Sequence, residues 1–74
     1  MRDSFLKLIE VSIRVIRLLK EGSFEIHPYD DGAYVTIMAK MIVQPQKILS
    51  EAKGLQVSFY PMDDYIEVRI YEAI

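Results

Sequence analysis

The 74-residue sequence contains no cysteine, no tryptophan and no asparagine, and it has a single histidine. Without cysteine, the chain can form neither disulfide bonds nor cysteine-ligated zinc sites, which stabilise many domains of this size. We therefore expect no metal and no cofactor, and a fold that depends on good packing or on a second copy. The same absences, together with ample Ile, Lys and Glu, lean toward the composition of thermophilic proteins.

The chain also has little excess of charge of either sign, because nine basic and eleven acidic residues give a net charge of −2. No polybasic run offers a footprint for phosphate backbones or anionic lipid. No apolar stretch approaches the ~18 residues that span a bilayer, and the charged start "MRDSFLKLIE" does not read as a signal peptide. The sequence predicts a cytoplasmic protein without a membrane partner.

Residues 4–21 have the pattern of a helix with one narrow polar sector. At 100° per residue, the polar side chains fall within about 80° and apolar ones fill roughly 240°. The polar set is Lys7, Glu10, Arg14, Arg17 and Glu21. Gly22 fits the left-handed position that ends a helix. Ser12 lies within the apolar arc, where a bond to the carbonyl four residues earlier is expected.

The width of this apolar arc predicts that the helix is covered from a second side. A helix on one sheet needs an apolar stripe of little more than 100°. The additional cover can come from the second helix or from another subunit, and a chain this short has little material left for wrapping.

Two β-hairpins follow, around the similar segments "YDDGAY" at 29–34 and "YPMDDY" at 60–65. Pairing Tyr29 with Tyr34 places Phe24, Ile26 and Pro28 opposite Ala39, Ile37 and Val35 on one face. Pairing Tyr60 with Tyr65 likewise places Leu55, Val57 and Phe59 opposite Ile70, Val68 and Ile66. A one-residue slip would scatter both apolar sets.

Between the hairpins, "QPQKILSEAKGL" predicts a short helix, with Pro45 at its first position and Gly54 just past its end. The element order is then α-β-β-α-β-β in a single α+β domain of residues 1–74. We expect a four-stranded antiparallel sheet with both helices on one face. The hairpin units 23–43 and 55–74 form a pseudo-two-fold repeat, which is compatible with an internal duplication and also with two unrelated hairpins of equal loop length.

The ends of both hairpins lose the alternation of polar and apolar residues. Residues 41–43 and 71–74 read as unpaired strand tails, which are aggregation-prone unless covered. A second copy can cover them, and for residues 41–43 so can the loop into the second helix. With one flank of the first helix, they provide the interface candidates Phe5, Ile9, Ile13, Ile16, Met41, Ile42, Val43, Tyr71 and Ile74.

The five tyrosines are predicted to lie on the sheet face away from the helices. Cross-strand pairs of Tyr29 with Tyr34 and of Tyr60 with Tyr65 would help to fix the register. An amphipathic aromatic face is also typical of binding surfaces. The sheet-face binding candidates are Tyr29, Tyr34, Tyr60, Tyr65, Arg69 and His27.

No motif for catalysis is present, so we predict that the chain is not an enzyme. His27 with Ser58 as nucleophile is the one combination with suitable residue types, and any polar sheet face offers such a pair. The aspartates of the two hairpin loops lack the spacing of a cation site and suit turn chemistry.

These observations favour a small non-catalytic interaction module that self-associates, with a homodimer preferred and another protein partner possible. The alternative is a weak nucleic-acid-binding protein that stacks bases on the tyrosine face. The acidic residues around that face count against this alternative.

Overall fold

A computed structural model describes residues 2–42 and 44–73, and it confirms the predicted α+β fold. The first helix, α1, spans Asp3–Leu19, and the second, α2, spans Pro45–Glu51. The strands are β1 (Glu25–Tyr29), β2 (Gly32–Ala39), β3 (Val57–Pro61) and β4 (Ile66–Tyr71). Neither helix within the described ranges is both long and apolar enough to cross a membrane.

The four strands form one antiparallel sheet in the order β1-β2-β4-β3. The two hairpins meet at the central β2–β4 pair, so they are related by a pseudo-two-fold axis through the middle of the sheet. Their turns consequently lie at opposite ends of the sheet. Each outer strand contains a proline, Pro28 in β1 and Pro61 in β3.

One face of the sheet packs against both helices and forms the core. Every second residue along each strand faces the helices. The buried set comprises Leu8, Val11, Val15, Ala33, Val35, Ile37, Ala39, Ile48, Ala52, Leu55, Val68 and Ile70. Because α1 and α2 contribute to the same cluster as the strands, both lie on the same side of the sheet. The opposite face has no covering element among the described residues.

The predicted pairing of both hairpins is wrong by two residues, although the predicted faces are right. Tyr29 is opposite Gly32, with a two-residue Asp30–Asp31 turn, where we expected a four-residue loop. In the second hairpin, Pro61 is opposite Ile66, and the Met62 amide donates to the Tyr65 carbonyl at 2.8 Å. A two-residue shift preserves the face of each side chain, so hydrophobic alternation cannot detect it.

The helix ends also differ in part from the prediction. Lys20, and not Gly22, adopts the left-handed conformation that ends α1, with φ of 59°. Beyond α2, Gly54 has φ of 88°, as its predicted role requires, and Lys53 before it has φ of 57°. The Ser12 hydroxyl donates to the Leu8 carbonyl at 2.7 Å, which confirms the expected bond and satisfies this fully buried side chain.

Candidate interaction surfaces

Helix α1 has two apolar flanks, and the sheet takes only one of them. Leu8, Val11, Ser12 and Val15 are fully buried and face the sheet. These positions fall within about 100° of the helix circumference. The buried stripe of α1 is about as wide as that of an ordinary surface helix. Packing against the sheet therefore does not explain the remaining apolar side chains of α1.

The remaining apolar side chains of α1 form a second stripe, which we name the α1 seam and define as Leu6, Ile9, Ile13 and Ile16. Leu6 is 45% exposed. Ile9 and Ile13 are half-buried and lie outside the set packed against the core, whereas Ile16 touches the core at its edge. The predicted interface candidates Ile9 and Ile13 are therefore placed together with a residue, Leu6, that the prediction did not single out.

Helix α2 does not cover the seam, because it lies beside the other flank of α1. Leu18 and Leu19 line one groove with Ile42 and Ile48, which places the start of α2 next to the end of α1. On the helical wheel Leu18 is on the far side of the buried stripe from Ile9. The seam is thus directed toward the side of the sheet that ends in β1.

Strand β1 extends beyond the helical layer on that side. Ile26 is directly opposite Val35 on the helix-facing side of the sheet. Val35 is fully buried, whereas Ile26 is 44% exposed. Two neighbouring side chains of the same face differ in this way because neither α1 nor α2 lies over β1. Phe5, another interface candidate, is partly buried and packs against the core.

Within the described residues, the predicted strand tails are not unpaired strand ends. Strand β2 ends at Ala39, so Met41 and Ile42 belong to the loop that leads into α2. Ile42 packs partly against the core, and Met41 is 67% exposed. Tyr71 is a paired strand residue, since it is opposite Tyr34 and its amide donates to the Gln56 carbonyl at 3.0 Å. The candidates Val43 and Ile74 lie outside the described residues.

The open face of the sheet carries a series of rings. We name it the tyrosine face and define it by His27, Tyr29, Tyr34, Tyr60 and Tyr71. Tyr34 is stacked on His27 at 4.8 Å between ring centroids, and it contacts Tyr29 at 6.1 Å and Tyr71 at 5.7 Å. Because of the shifted register, Tyr29 meets Tyr34 diagonally, and the direct neighbours of Tyr34 are His27 and Tyr71. Four of the five tyrosines lie on this face, whereas the prediction placed all five there; the exception is Tyr65.

Tyr60 and Tyr65 do not form the predicted pair. Tyr60 is opposite Glu67, and Tyr65 lies in the loop between β3 and β4, outside the strands. The loop consists of the four residues between the paired positions Pro61 and Ile66. It begins one residue later than the tyrosine pattern predicted. The prediction for this pair is wrong because the loop includes Tyr65 itself.

Arg69 connects the two halves of the tyrosine face. Its guanidinium lies 4.5 Å from the ring centre of Tyr60 and 5.7 Å from that of Tyr34. Its Nε donates to the Glu67 carboxylate at 2.5 Å, and this bond raises the pKa of the guanidinium. Hydrogen bonds from Tyr71 and then Ser58 lower the pKa of Tyr60. The Arg69 guanidinium is thus engaged by other side chains of the same face.

The electrostatic character of this face is mixed. A groove of about 340 Å³ runs along it, and its lining includes Glu21, Glu25 and Glu67 besides Tyr34 and Arg69. The lining thus contains three carboxylates and one guanidinium. A ligand with a phosphate backbone would meet more negative than positive charge there.

The residues considered for catalysis are not brought together. His27 Nε2 is 2.9 Å from the Thr36 hydroxyl and 3.7 Å from a Glu25 carboxylate oxygen. Ser58 is on β3, at the other edge of the sheet, with β2 and β4 between. Strands are about 4.8 Å apart, so the two side chains are far beyond proton-transfer reach. Within residues 2–42 and 44–73, no three potential ligands are grouped to hold a metal ion.

A buried carboxylate is the feature that the sequence prediction missed. Glu72 is 5% exposed, and it accepts hydrogen bonds from the Arg2 guanidinium and the Ser4 hydroxyl. The alternation Ile66, Val68, Ile70 continues to position 72, so the period of the strand itself indicated an inward side chain. The prediction treated residues 71–74 as an unpaired strand tail and therefore did not use this signal.

Comparison of the chain with models of protein families, with curated proteins and with solved structures found no match.

Proposed function

We propose that this chain is a small non-catalytic interaction module that self-associates, with a homodimer as its working form. The observation that carries the proposal is the α1 seam, an apolar stripe in which Leu6, Ile9 and Ile13 do not belong to the set packed against the core. Leu6, a member of the seam, is 45% exposed, and Ile26 on the helix-facing side of the sheet is 44% exposed.

A second copy is the occupant that suits this surface, because the surface is narrow, helical and apolar. A stable interface buries about 800 Å² on each partner. That is roughly one sixth of the 5008 Å² surface of this chain, and α1 is its longest element. Desolvating apolar side chains stabilises association by about 25 cal/mol per Å² before its entropic cost.

Light scattering across a concentration series tests this proposal. The wild type is expected to approach twice the chain mass of 8.6 kDa as the concentration rises. Leu6→Glu with Ile13→Glu places charges in the seam and should return the mass to that of one chain. The matched control is Leu49→Glu, which changes an exposed leucine of α2. A wild-type mass near 8.6 kDa at high micromolar concentration would sink the proposal.

A second candidate function is weak binding of single-stranded nucleic acid on the tyrosine face, favoured by the continuous rings of Tyr29, Tyr34 and Tyr71. Aromatic side chains on an open sheet can stack bases. This function predicts salt-sensitive binding of single-stranded RNA or DNA that is lost on Tyr60→Ala with Arg69→Ala. Binding that is absent at low salt, or unchanged in the double variant, would count against it.

A further inference from the structure

Given the proposed self-association, we infer that two α1 helices pair antiparallel through the α1 seam, about a two-fold axis near Val11. The pairing rests on that proposed function and adds its partner surface, direction and register. It follows from three properties of the helix: the spacing of the seam, the distribution of charge beside it and the position of Leu6, Ile9 and Ile13 outside the set of side chains that packs against the core.

The spacing of the seam is that of a helix–helix interface. Leu6, Ile9, Ile13 and Ile16 are separated by three, four and three residues. This is the a/d pattern of a seam that faces a partner helix, with side chains that interdigitate as knobs into holes. The pattern reads nearly the same in both directions, so an antiparallel copy can meet it. Leu6 then lies at the level of Ile16 of the second copy, and Ile9 at the level of Ile13.

The charges beside the seam select the antiparallel direction. Asp3 and Arg17 flank the seam on the same side, two full heptads apart. In the antiparallel pair, Asp3 of one helix lies within about 3 Å along the axis of Arg17 of the other, at both ends of the interface. In a parallel pair Asp3 would instead be level with Asp3 of the other helix and 14 residues from its Arg17, so this contact could not form. Both side chains are exposed and available for these contacts.

Glu10 marks the centre of the antiparallel pair. The two copies of Glu10 are offset by only about 3 Å along the axis, whereas the two copies of Leu6 are about 15 Å apart. In a parallel pair the relation is reversed, since identical seam residues then face each other. Arg14 follows Glu10 by one helical turn, where it can offset the repulsion between the two carboxylates.

Cross-linking of single-cysteine variants tests the direction, and the chain has no cysteine of its own to interfere. Glu10→Cys, Leu6→Cys and the control Leu49→Cys are treated with a short bismaleimide and separated on a denaturing gel. The antiparallel pair predicts a covalent dimer for Glu10→Cys and little product for the other two. Glu10 is exposed, so its substitution leaves the core intact.

Other outcomes would overturn the inference in distinguishable ways. Efficient linking of Leu6→Cys without Glu10→Cys would mean a parallel pair, and equal linking of all three would mean no defined pair. No linking in a protein whose scattering mass is dimeric would place the interface elsewhere and leave the proposed self-association standing. A monomeric mass would remove both.

A charge exchange provides a second measurement. Asp3→Arg and Arg17→Asp should each weaken the dimer, raising its Kd roughly fivefold, because each variant loses both copies of an exposed ion pair. The double variant restores opposite charges across the interface and should return Kd toward the wild-type value. This rescue separates interface pairing from effects on α1 itself, since both substitutions oppose the helix dipole and would add in an isolated helix. A double variant weaker than either single one would overturn the register.

Discussion

Arg2 and Glu72 join the two ends of the described chain. The Arg2 Nε and Nη2 atoms donate to the two Glu72 carboxylate oxygens at 2.8 and 2.9 Å, across 70 positions of sequence. The Glu72 side chain is fully buried, whereas that of Arg2 remains 56% exposed. The Glu72 amide in turn donates to the Ala33 carbonyl at 2.9 Å. The first turn of α1 is thereby fastened to the end of β4.

This contact predicts that stability declines in acid through Glu72. The hydrogen bonds from Arg2, and then from Ser4, lower the pKa of the Glu72 carboxyl to about 2 from its usual 4.5. A depressed pKa contributes stability that is complete above 4.5 and is lost as the pH falls through 4.5 toward 2.

Urea unfolding of Glu72→Gln checks this expectation. The variant should be less stable than the wild type at pH 7, because the neutral amide cannot replace the charge-assisted bonds to Arg2. The difference should shrink steadily below pH 4.5. Glu51→Gln on α2 serves as the control. A difference that stays constant from pH 7 to pH 2.5 would refute the assigned role of the carboxylate.

The two flanks of α1 predict different costs for the same substitution. Leu8→Ala removes a fully buried side chain and should lower the free energy of unfolding by about 2–5 kcal/mol. Leu6→Ala, at a concentration where the chain is monomeric, should change it by about 0.5 kcal/mol or less. Denaturant midpoints measure both. Equal losses would mean that the two leucines are equally buried, contrary to the packing of α1.

The tyrosine face predicts a shift in the ionisation of one phenol. Because a hydrogen bond from Tyr71 is the largest influence lowering the pKa of Tyr60, Tyr71→Phe should raise that pKa. An NMR titration with tyrosine labelled at the ring carbon that bears the hydroxyl follows each phenol separately. Tyr65→Phe, which changes a loop residue, should leave Tyr60 unaffected. A downward or absent shift in Tyr71→Phe would be incompatible with the contact.

The end of α1 predicts a stabilising substitution. Lys20 has φ of 59°, a conformation that costs a residue with a Cβ about 1–2 kcal/mol relative to glycine. Lys20→Gly should therefore raise the melting temperature, with a gain of about 0.5–1 kcal/mol after the added freedom of the unfolded chain. Lys7→Gly, in the middle of the helix, should lose about 1 kcal/mol. Thermal unfolding followed by circular dichroism compares the two variants. A lower melting temperature in both would show that the Lys20 side chain stabilises the fold by more than its backbone conformation costs.

The sequence was most informative where periodicity is strong. The helical period of residues 4–21 predicted both α1 and the excess of apolar surface on it, and the alternation of the strands predicted which side chains face the helices. These patterns report burial directly, because each element must turn its apolar side toward the core. Fold class and element order followed from them.

Pairing register and turn length could not be obtained in the same way. The tyrosines near each turn suggested two equivalent four-residue loops, yet the first hairpin closes through Asp30 and Asp31 alone. Alternation is unchanged by a two-residue shift, so only turn geometry and long-range packing distinguish the two pairings. Glu72 was missed for a related reason, since its partners Arg2 and Ser4 are far away in sequence.

The prolines of the two outer strands limit how this chain can associate. Neither Pro28 nor Pro61 has an amide hydrogen to offer, so each open edge of the sheet presents an interrupted row of donors. Fibril growth by addition of strand upon strand lacks a regular template on either side. Association through a helix differs from strand addition, because a two-fold interface is fully occupied in the dimer. No equivalent surface then remains for a third chain.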